Sequence, residues 1–447
     1  MEVIYLAIIR ELNSILRGGE TNYRKALERE YESLMQDQVA GDNNGEDTDN
    51  MIINGDNRDI MVKLINQGYG GKISLIYSDP PFFTKAGYDA VVKVGGKNIK
   101  HNAYDDTWNR DMKKYLRMLT CRLLLMRDLL ADDGLIWVHM DFHAVHYAKI
   151  IMDEIFGEEN FVNEIIWQYK SGGSTKKRFS RKHDTILVYS KTKRYRFFPQ
   201  KEKSYNRGLK PYHFKGVEEF QDEVGWYTVV NMKDVWQIDM VGRTSGERTG
   251  YATQKPEELM KRIIKASTDE GDLVADFFAG SGTLAAAAED MNRSYIICDQ
   301  SRLATETASA RLTDKGSRFV LYEDKEDMRQ RLRAFVKFKS IEDSFYEKKM
   351  IQVTIDHLRL NQLKQQVEEK YIDDIKELQK QDPAQLLLSW SVDYHYDGKV
   401  HRPDRIFTRR GGDIELSCDF IVMPGTDVSV RVTDIFGNHV FVYYTVL

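Results

Sequence analysis

The chain reads as an α/β protein: a doubly wound, Rossmann-like sheet with a long insertion and a small β module at its C-terminal end. Three observations predict this. Gly271–Asp276 is a short apolar strand running through a glycine turn into an Ala-rich helix. Lys72–Tyr77 is a second apolar strand, stopping at Asp79-Pro80-Pro81-Phe82. From about Leu386 apolar and polar residues alternate. Strands buried on both faces read as continuous apolar runs, whereas half-exposed antiparallel strands alternate.

In the glycine turn, Asp276-Phe277-Phe278-Ala279-Gly280-Ser281-Gly282-Thr283 leads into Leu284–Ala288. Strand, tight turn and helix start together make a nucleotide site, because glycine lets backbone approach a ligand and free helix N–H groups face it. The next strand, Ser294–Cys298, ends in Asp299, placed to accept hydrogen bonds from ribose hydroxyls. No Lys follows the glycines, which argues against a phosphate-gripping loop.

The strand ending at Asp79 carries the second motif. Two prolines fix φ and forbid helix, so the carboxylate and the Pro80 carbonyl are held rigidly beside Phe82. Two fixed acceptors can bind the two hydrogens of an exocyclic amine while the ring stacks on its base.

Composition bounds the partners. The 447 residues predict about three structural units. Net charge is −4, but Lys170–Lys215 holds fifteen Lys/Arg against two Asp/Glu, interleaved with aromatics. Positive charge confined to one stretch suits a polyanion, and Lys176, Lys177, Arg178, Arg181 and Lys182 are the phosphate-contact candidates. Cys121, Cys298 and Cys418 have no paired spacing, which fits a reducing cytoplasm without disulfides or a zinc knuckle. The start has too short an apolar run for a membrane span and no basic leader region, so no membrane role is expected. His139, His143 and His146 are close in sequence but need not converge, and no metal is expected.

The two motifs in this order resemble the beta-class amino-methyltransferases of DNA, which methylate adenine N6 or cytosine N4 with S-adenosylmethionine. The resemblance spans roughly residues 50–310 and includes weaker segments. These are Asn54-Gly55-Asp56-Asn57, Ala103–Trp108, the Tyr115–Leu130 helix, Gly134–Asp141, His183–Ser190 and Gln254-Lys255-Pro256 before a Glu257–Ala266 helix. The modification subunits of type III restriction–modification systems are the nearest likeness. The resemblance implies a SAM-dependent methyltransferase sheet, with Asp79, Pro80, Pro81 and Phe82 as catalytic residues. It implies Asp56, Lys255, Asp276, Phe278, Gly280, Ser281, Gly282, Thr283 and Asp299 around S-adenosylmethionine. Phe82 stands where Tyr is commoner, keeping the stacking face. Asp79, where cytosine-N4 members typically have Ser, favours adenine. Cytosine-N4 methylation, a catalytically silent specificity subunit and RNA methylation are the alternatives. Double-stranded DNA is the implied partner, with a homodimer and a restriction subunit as further partners.

The expected organisation is a helical arm and acidic linker (1–50), then the catalytic half (51–165). A DNA target-recognition insertion (166–248) and the SAM-binding half (249–325) follow. A helical connector (326–385) leads to the β module (386–447), in which Phe436-Gly437-Asn438 is the turn before His439–Val446.

Overall fold

The computed structural model describes residues 2–41, 48–84, 87–94, 96–105, 108, 111–170, 175–242, 244–251, 253–323, 331–341, 348–409 and 413–447. Ten strands form the central sheet: β1 (Met35–Ala40), β2 (Met51–Asn54), β3 (Ile73–Ser78), β4 (Leu130–Met140), β5 (Phe161–Gln168), β6 (His183–Ser190), β7 (Val235–Gln237), β8 (Leu273–Asp276), β9 (Ser294–Asp299) and β10 (Phe319–Glu323). Their order is β1-β10-β2-β9-β8-β3-β4-β6-β5-β7. The run from β10 to β4 is parallel, whereas β1 and β6 pair antiparallel with their neighbours.

Successive strand residues go to opposite faces, as the pleat requires. Ile53, Ile76 and Ile136 enter one core, and Ile52, Leu75 and Leu135 the other. The first core is covered by α1 (Glu2–Glu28), α2 (Asn57–Leu64), α3 (Met112–Leu129) and α4 (Val145–Phe156). The second is covered by α5 (Glu257–Ser267), α6 (Thr283–Glu289) and α7 (Arg302–Asp314). The sheet is therefore doubly wound. Motifs nearly two hundred residues apart in sequence become neighbours because β8 inserts between β9 and β3, with Asp276 opposite Tyr77. No helix among the described residues is long and apolar enough to cross a membrane.

Three expectations are corrected. The acidic linker expected at the end of the 1–50 segment begins as strand β1, paired to β10 with Val39 and Ala40 buried; residues 42–47 lie outside the described ones. The helical connector at 326–385 is mainly a long hairpin, Leu332–Ile341 with Lys349–Leu360, and among its described residues only α8 (Ile372–Gln381) is an α-helix. Ile351, Val353 and Ile355 are buried while their neighbours are less so. The period is two, with the polar Gln352 and Thr354 between the buried residues. This hairpin continues into Ser417–Val422, so the β module reaches back beyond residue 386. The recognition insertion at 166–248 also contributes β6 and β7 to the main sheet. The part standing apart is a three-stranded sheet, Lys201–Tyr205, Phe220–Gln221 and Trp226–Asn231.

A four-stranded antiparallel sheet, Leu387–Asp393, Arg405–Thr408, Asp427–Asp434 and His439–Thr445, completes the tail. Gly437 takes φ +83° in the turn before its last strand. The sheet docks through Arg431, a buried guanidinium bonded to Glu306 of α7 and Asp37 of β1. Removing one partner from such a pair leaves a buried charge, at a cost of about 3–5 kcal/mol.

Candidate active site

β3 ends at Ser78, and the next residue, Asp79, projects beyond the sheet edge. Proline at 80 and 81 prevents continuation of the ladder or a helix. One Asp79 carboxylate oxygen is ion-paired with the Lys255 ammonium, which also lies 5.5 Å from the centre of the Phe82 ring. The other, Oδ1, is buried without a hydrogen-bond partner among the described residues. Lys255 is fixed in turn by its own carbonyl, which accepts from the Thr283 hydroxyl at 3.2 Å.

Beside it, β8 runs into the glycine turn. Asp276 Oδ1 accepts from the Phe278 N–H at 2.9 Å, closing the turn. Gly280 adopts φ +51° and donates its N–H to Asp299 Oδ2 at 2.9 Å. Asp299 Oδ1 accepts from the Ser301 N–H at 2.8 Å. Gly282, at φ +69°, begins α6, and a Cβ there would lie 2.6 Å from that of Ala308. Only glycine tolerates that turn without displacement.

Both motifs open onto one cavity of about 200 Å³. Asp79, Pro80, Pro81, Phe82, Lys255, Asp276, Phe278, Gly280, Ser281, Thr283 and Asp299 all line it. Two expected cofactor residues do not. Gly282 supports the turn from behind. Asp56 caps α2, accepting from the Arg58 N–H at 2.9 Å and facing Arg122 at 3.4 Å. Its neighbour Asn57 reaches the cavity instead, donating to the Phe277 carbonyl at 2.8 Å and accepting from Arg122 Nε at 2.6 Å. Asn57, Trp108 and Arg122 belong to segments singled out in the sequence, though not as site residues; Tyr251, which also lines the wall, carried no such signal. Asp106 and Thr107 of the Ala103–Trp108 segment lie outside the described residues.

The electrostatics suit a cation carrying hydroxyls. Burial pushes the Asp276 carboxyl well above its usual range, outweighing the Phe278 N–H, with Asp79 and Asp299 adding to the rise. Burial also raises Asp299 against the N–H groups of Ser301 and Gly280. S-adenosylmethionine is such a ligand, with a cationic sulfur, an ammonium and ribose hydroxyls. These acids and the glycine backbone fit it.

The three histidines do not converge. His139 is buried between Tyr77 and Asp184, His143 Nδ1 is 2.7 Å from Asp141 Oδ2, and His146 is exposed on α4. Of the basic candidates, Lys176, Lys177 and Arg178 are exposed, and the Arg181 guanidinium lies 3.4 Å over the Phe142 ring. Lys182 is half-buried, its carbonyl accepting from the Tyr169 N–H at 3.0 Å. Among them Phe179 is 98% exposed, a residue that a count of charges passes over.

Residues 73–310 match the family profile N6_N4_Mtase, described as DNA methylase. The type II methyltransferase M.EcaI of Enterobacter cloacae is 30% identical, covering 59% of this chain and 69% of that protein. The type III restriction-modification enzyme StyLTI Mod subunit of Salmonella typhimurium is 27% identical over 56% of this chain and 52% of its own length. Among solved structures, the M1.HpyAVI-SAM complex is similar with a TM-score of 0.39 at 20% identity, covering 59% of this chain and 98% of that one.

Proposed function

Since the chain belongs to this family of SAM-dependent DNA amino-methyltransferases, we propose that it methylates N6 of an adenine flipped out of duplex DNA. The observation carrying the proposal is that Asp79 and the Gly280 turn line one cavity, at the ends of adjacent parallel strands. When bound, S-adenosylmethionine supplies a methyl group on a cationic sulfur, so activation resides in the cofactor. The chain's residues supply alignment and charge.

Asp79 and the Pro80 carbonyl accept the two amine hydrogens, drawing the nitrogen lone pair out of the ring. These bonds strengthen as positive charge grows on nitrogen, which stabilises the transition state beyond the ground state. The incoming amine takes the place of Lys255 on Asp79. Phe82 stacks on the base, worth about 1–3 kcal/mol, and offsets part of the few kcal/mol spent in flipping it. Lys176, Lys177, Arg178, Arg181 and Lys182 hold phosphates, and Phe179, exposed among them, fills the space that the base leaves in the stack.

Nucleoside mass spectrometry on DNA from a methylation-free host expressing the chain tests this. N6-methyladenine is the expected product; N4-methylcytosine would overturn the choice of base, and neither would overturn the enzyme. Asp79→Ala should retain S-adenosylmethionine binding and abolish transfer.

A further inference from the structure

Behind the Asp79 carboxylate lies a buried polar chain that alignment of the amine leaves unused. His139, near the end of β4, has no exposed surface. Its Nδ1 is 2.7 Å from the Tyr77 hydroxyl and 3.7 Å from Asp79 Oδ1. Its Nε2 is 3.3 Å from Asp184 Oδ2, and Asp184 Oδ1 accepts from the Tyr169 hydroxyl at 3.2 Å. The rings of Phe82 and Trp167 flank it, with centroids at 5.6 and 5.3 Å. The Asp79 oxygen facing this chain is the one without a hydrogen-bond partner among the described residues.

The neighbours assign the tautomer. Burial pushes the Tyr77 phenol well above its usual value, so it keeps its proton; the Asp184 carboxylate beside Nε2 can only accept, which leaves Nδ1 to accept from the phenol. The ring N–H is then on Nε2, facing Asp184. Burial alone would raise Asp184, but contacts with His139, Lys255 and Tyr169 leave its carboxyl below the usual range. The Asp184 carboxylate thus stands on one side of the imidazole, and Nδ1, with Tyr77 and Asp79 near it, on the other.

We infer that His139, oriented by Asp184, takes up the proton that the reacting amine gives to Asp79. The inference rests on the amino-methyltransferase reading. An amine that gains a methyl group must lose a hydrogen as a proton. The N–H bond breaks with its electron pair left on nitrogen, and the proton bonds to the Asp79 carboxylate. The carboxyl turns to bring its O–H to His139, the Tyr77 O–H swings out of the Nδ1 lone pair, and the Asp79 O–H bond breaks as the proton joins Nδ1, restoring Asp79 as an acceptor. Asp184 compensates the imidazolium, and the Tyr77 hydroxyl changes from donor to acceptor. The 3.7 Å gap is longer than a hydrogen bond and closes when the carboxylate pivots free of Lys255. The proton leaves by the reverse path when the cavity reopens. His139 and Asp184 are positioning residues, acting through Asp79.

The groups facing the imidazole are Tyr77 and Asp79 from β3, Asp184 from β6, Tyr169 beyond β5 and Lys255 before α5. Asp141, at the end of β4, is half-buried and linked to His143.

The experiment follows single-turnover transfer of a radiolabelled methyl group from S-adenosylmethionine to unmethylated genomic DNA across pH. Wild type, His139→Gln and Asp184→Asn are compared, with cofactor binding measured in parallel. Wild type should lose rate on the acid side as the imidazole fills. His139→Gln should be at least tenfold slower at neutral pH, lack that acid limb, and bind the cofactor as wild type does. Asp184→Asn should keep the limb but displace it to lower pH, because the imidazolium has lost its counter-charge; it carries the test if His139→Gln does not fold. A His139→Gln rate equal to wild type overturns the inference. So does a slower rate with the wild-type pH profile in both variants. No transfer by wild type itself refutes the methyltransferase reading, before any variant is compared.

Discussion

The Lys255 ammonium is ion-paired with the Asp79 carboxylate across 176 residues of sequence. The acceptor proposed for the amine therefore rests against a cation of its own chain, at the junction of the two motifs. Asp79 is 18% exposed and Lys255 12%, so neither charge is well solvated without the other.

Lys255→Met and Asp79→Asn should each destabilise the protein by about 1–3 kcal/mol, less than for a fully enclosed pair. The double variant should lose less than the sum, because it leaves no orphaned charge. Urea denaturation of the four proteins measures this, and strict additivity would remove the coupling.

Asp276→Asn separates stability from binding. Burial holds the folded-state pKa of Asp276 above its unfolded value. Its contribution to stability is therefore full below the ordinary carboxylate range, about pH 4, and is lost as pH rises through the folded value. The Asn variant cannot lose it, and its amide oxygen can still accept the Phe278 N–H. In the absence of cofactor its melting temperature should exceed wild type by more at pH 8 than at pH 5, while S-adenosylmethionine affinity falls. Equal differences at both pH values would count against a buried, raised carboxyl.

The two turn glycines should fail differently. Gly282→Ala meets Ala308 at 2.6 Å in a left-handed conformation that itself costs roughly 1–2 kcal/mol, so folding stability drops. Gly280→Asp shares the left-handed strain at φ +51° but meets no backbone or Cβ, its nearest neighbour being the Tyr251 ring at 3.3 Å, and it brings a third carboxylate beside Asp276 and Asp299. It should lose at least tenfold in cofactor affinity with a smaller loss of stability. Calorimetric titration and thermal melts on both variants distinguish these outcomes.

Substitutions in the basic loop should spare the fold. Phe179→Ala should change stability by less than about 0.5 kcal/mol, because the ring is 98% exposed, yet slow methylation of paired duplex. A target base already unpaired by a mismatch should recover much of that loss. Replacing Lys176, Lys177 and Arg178 with Ala should shallow the salt dependence of DNA affinity by about 0.9 for each phosphate no longer neutralised. An unchanged slope would place the DNA elsewhere.

The turn at Gly280 and the rigid Asp79-Pro80-Pro81 exit were legible because they depend on the dihedral limits of a few adjacent residues. The doubly wound sheet followed from strand–turn–helix units of the same local kind. The Leu332–Leu360 hairpin carries a period-two signal of its own, Ile351, Val353 and Ile355 alternating with Gln352 and Thr354, which the charge of the surrounding segment obscures when it is read for helical spacing. Asp56, expected around S-adenosylmethionine, is not among the cavity-lining residues and caps α2 instead; a helix cap and a ligand contact call for the same carboxylate.

Sequence by itself determined the chemistry on offer: a held carboxylate, a stacking ring and a glycine bend able to approach a ligand. Tertiary structure alone decided which groups meet: Lys255 on Asp79, Asp184 behind His139, and Arg431 among Glu306 and Asp37. Backbone preferences act between neighbours in the chain. Coulombic and hydrogen-bonding partners are chosen by strand order, which brings together residues that the sequence keeps far apart.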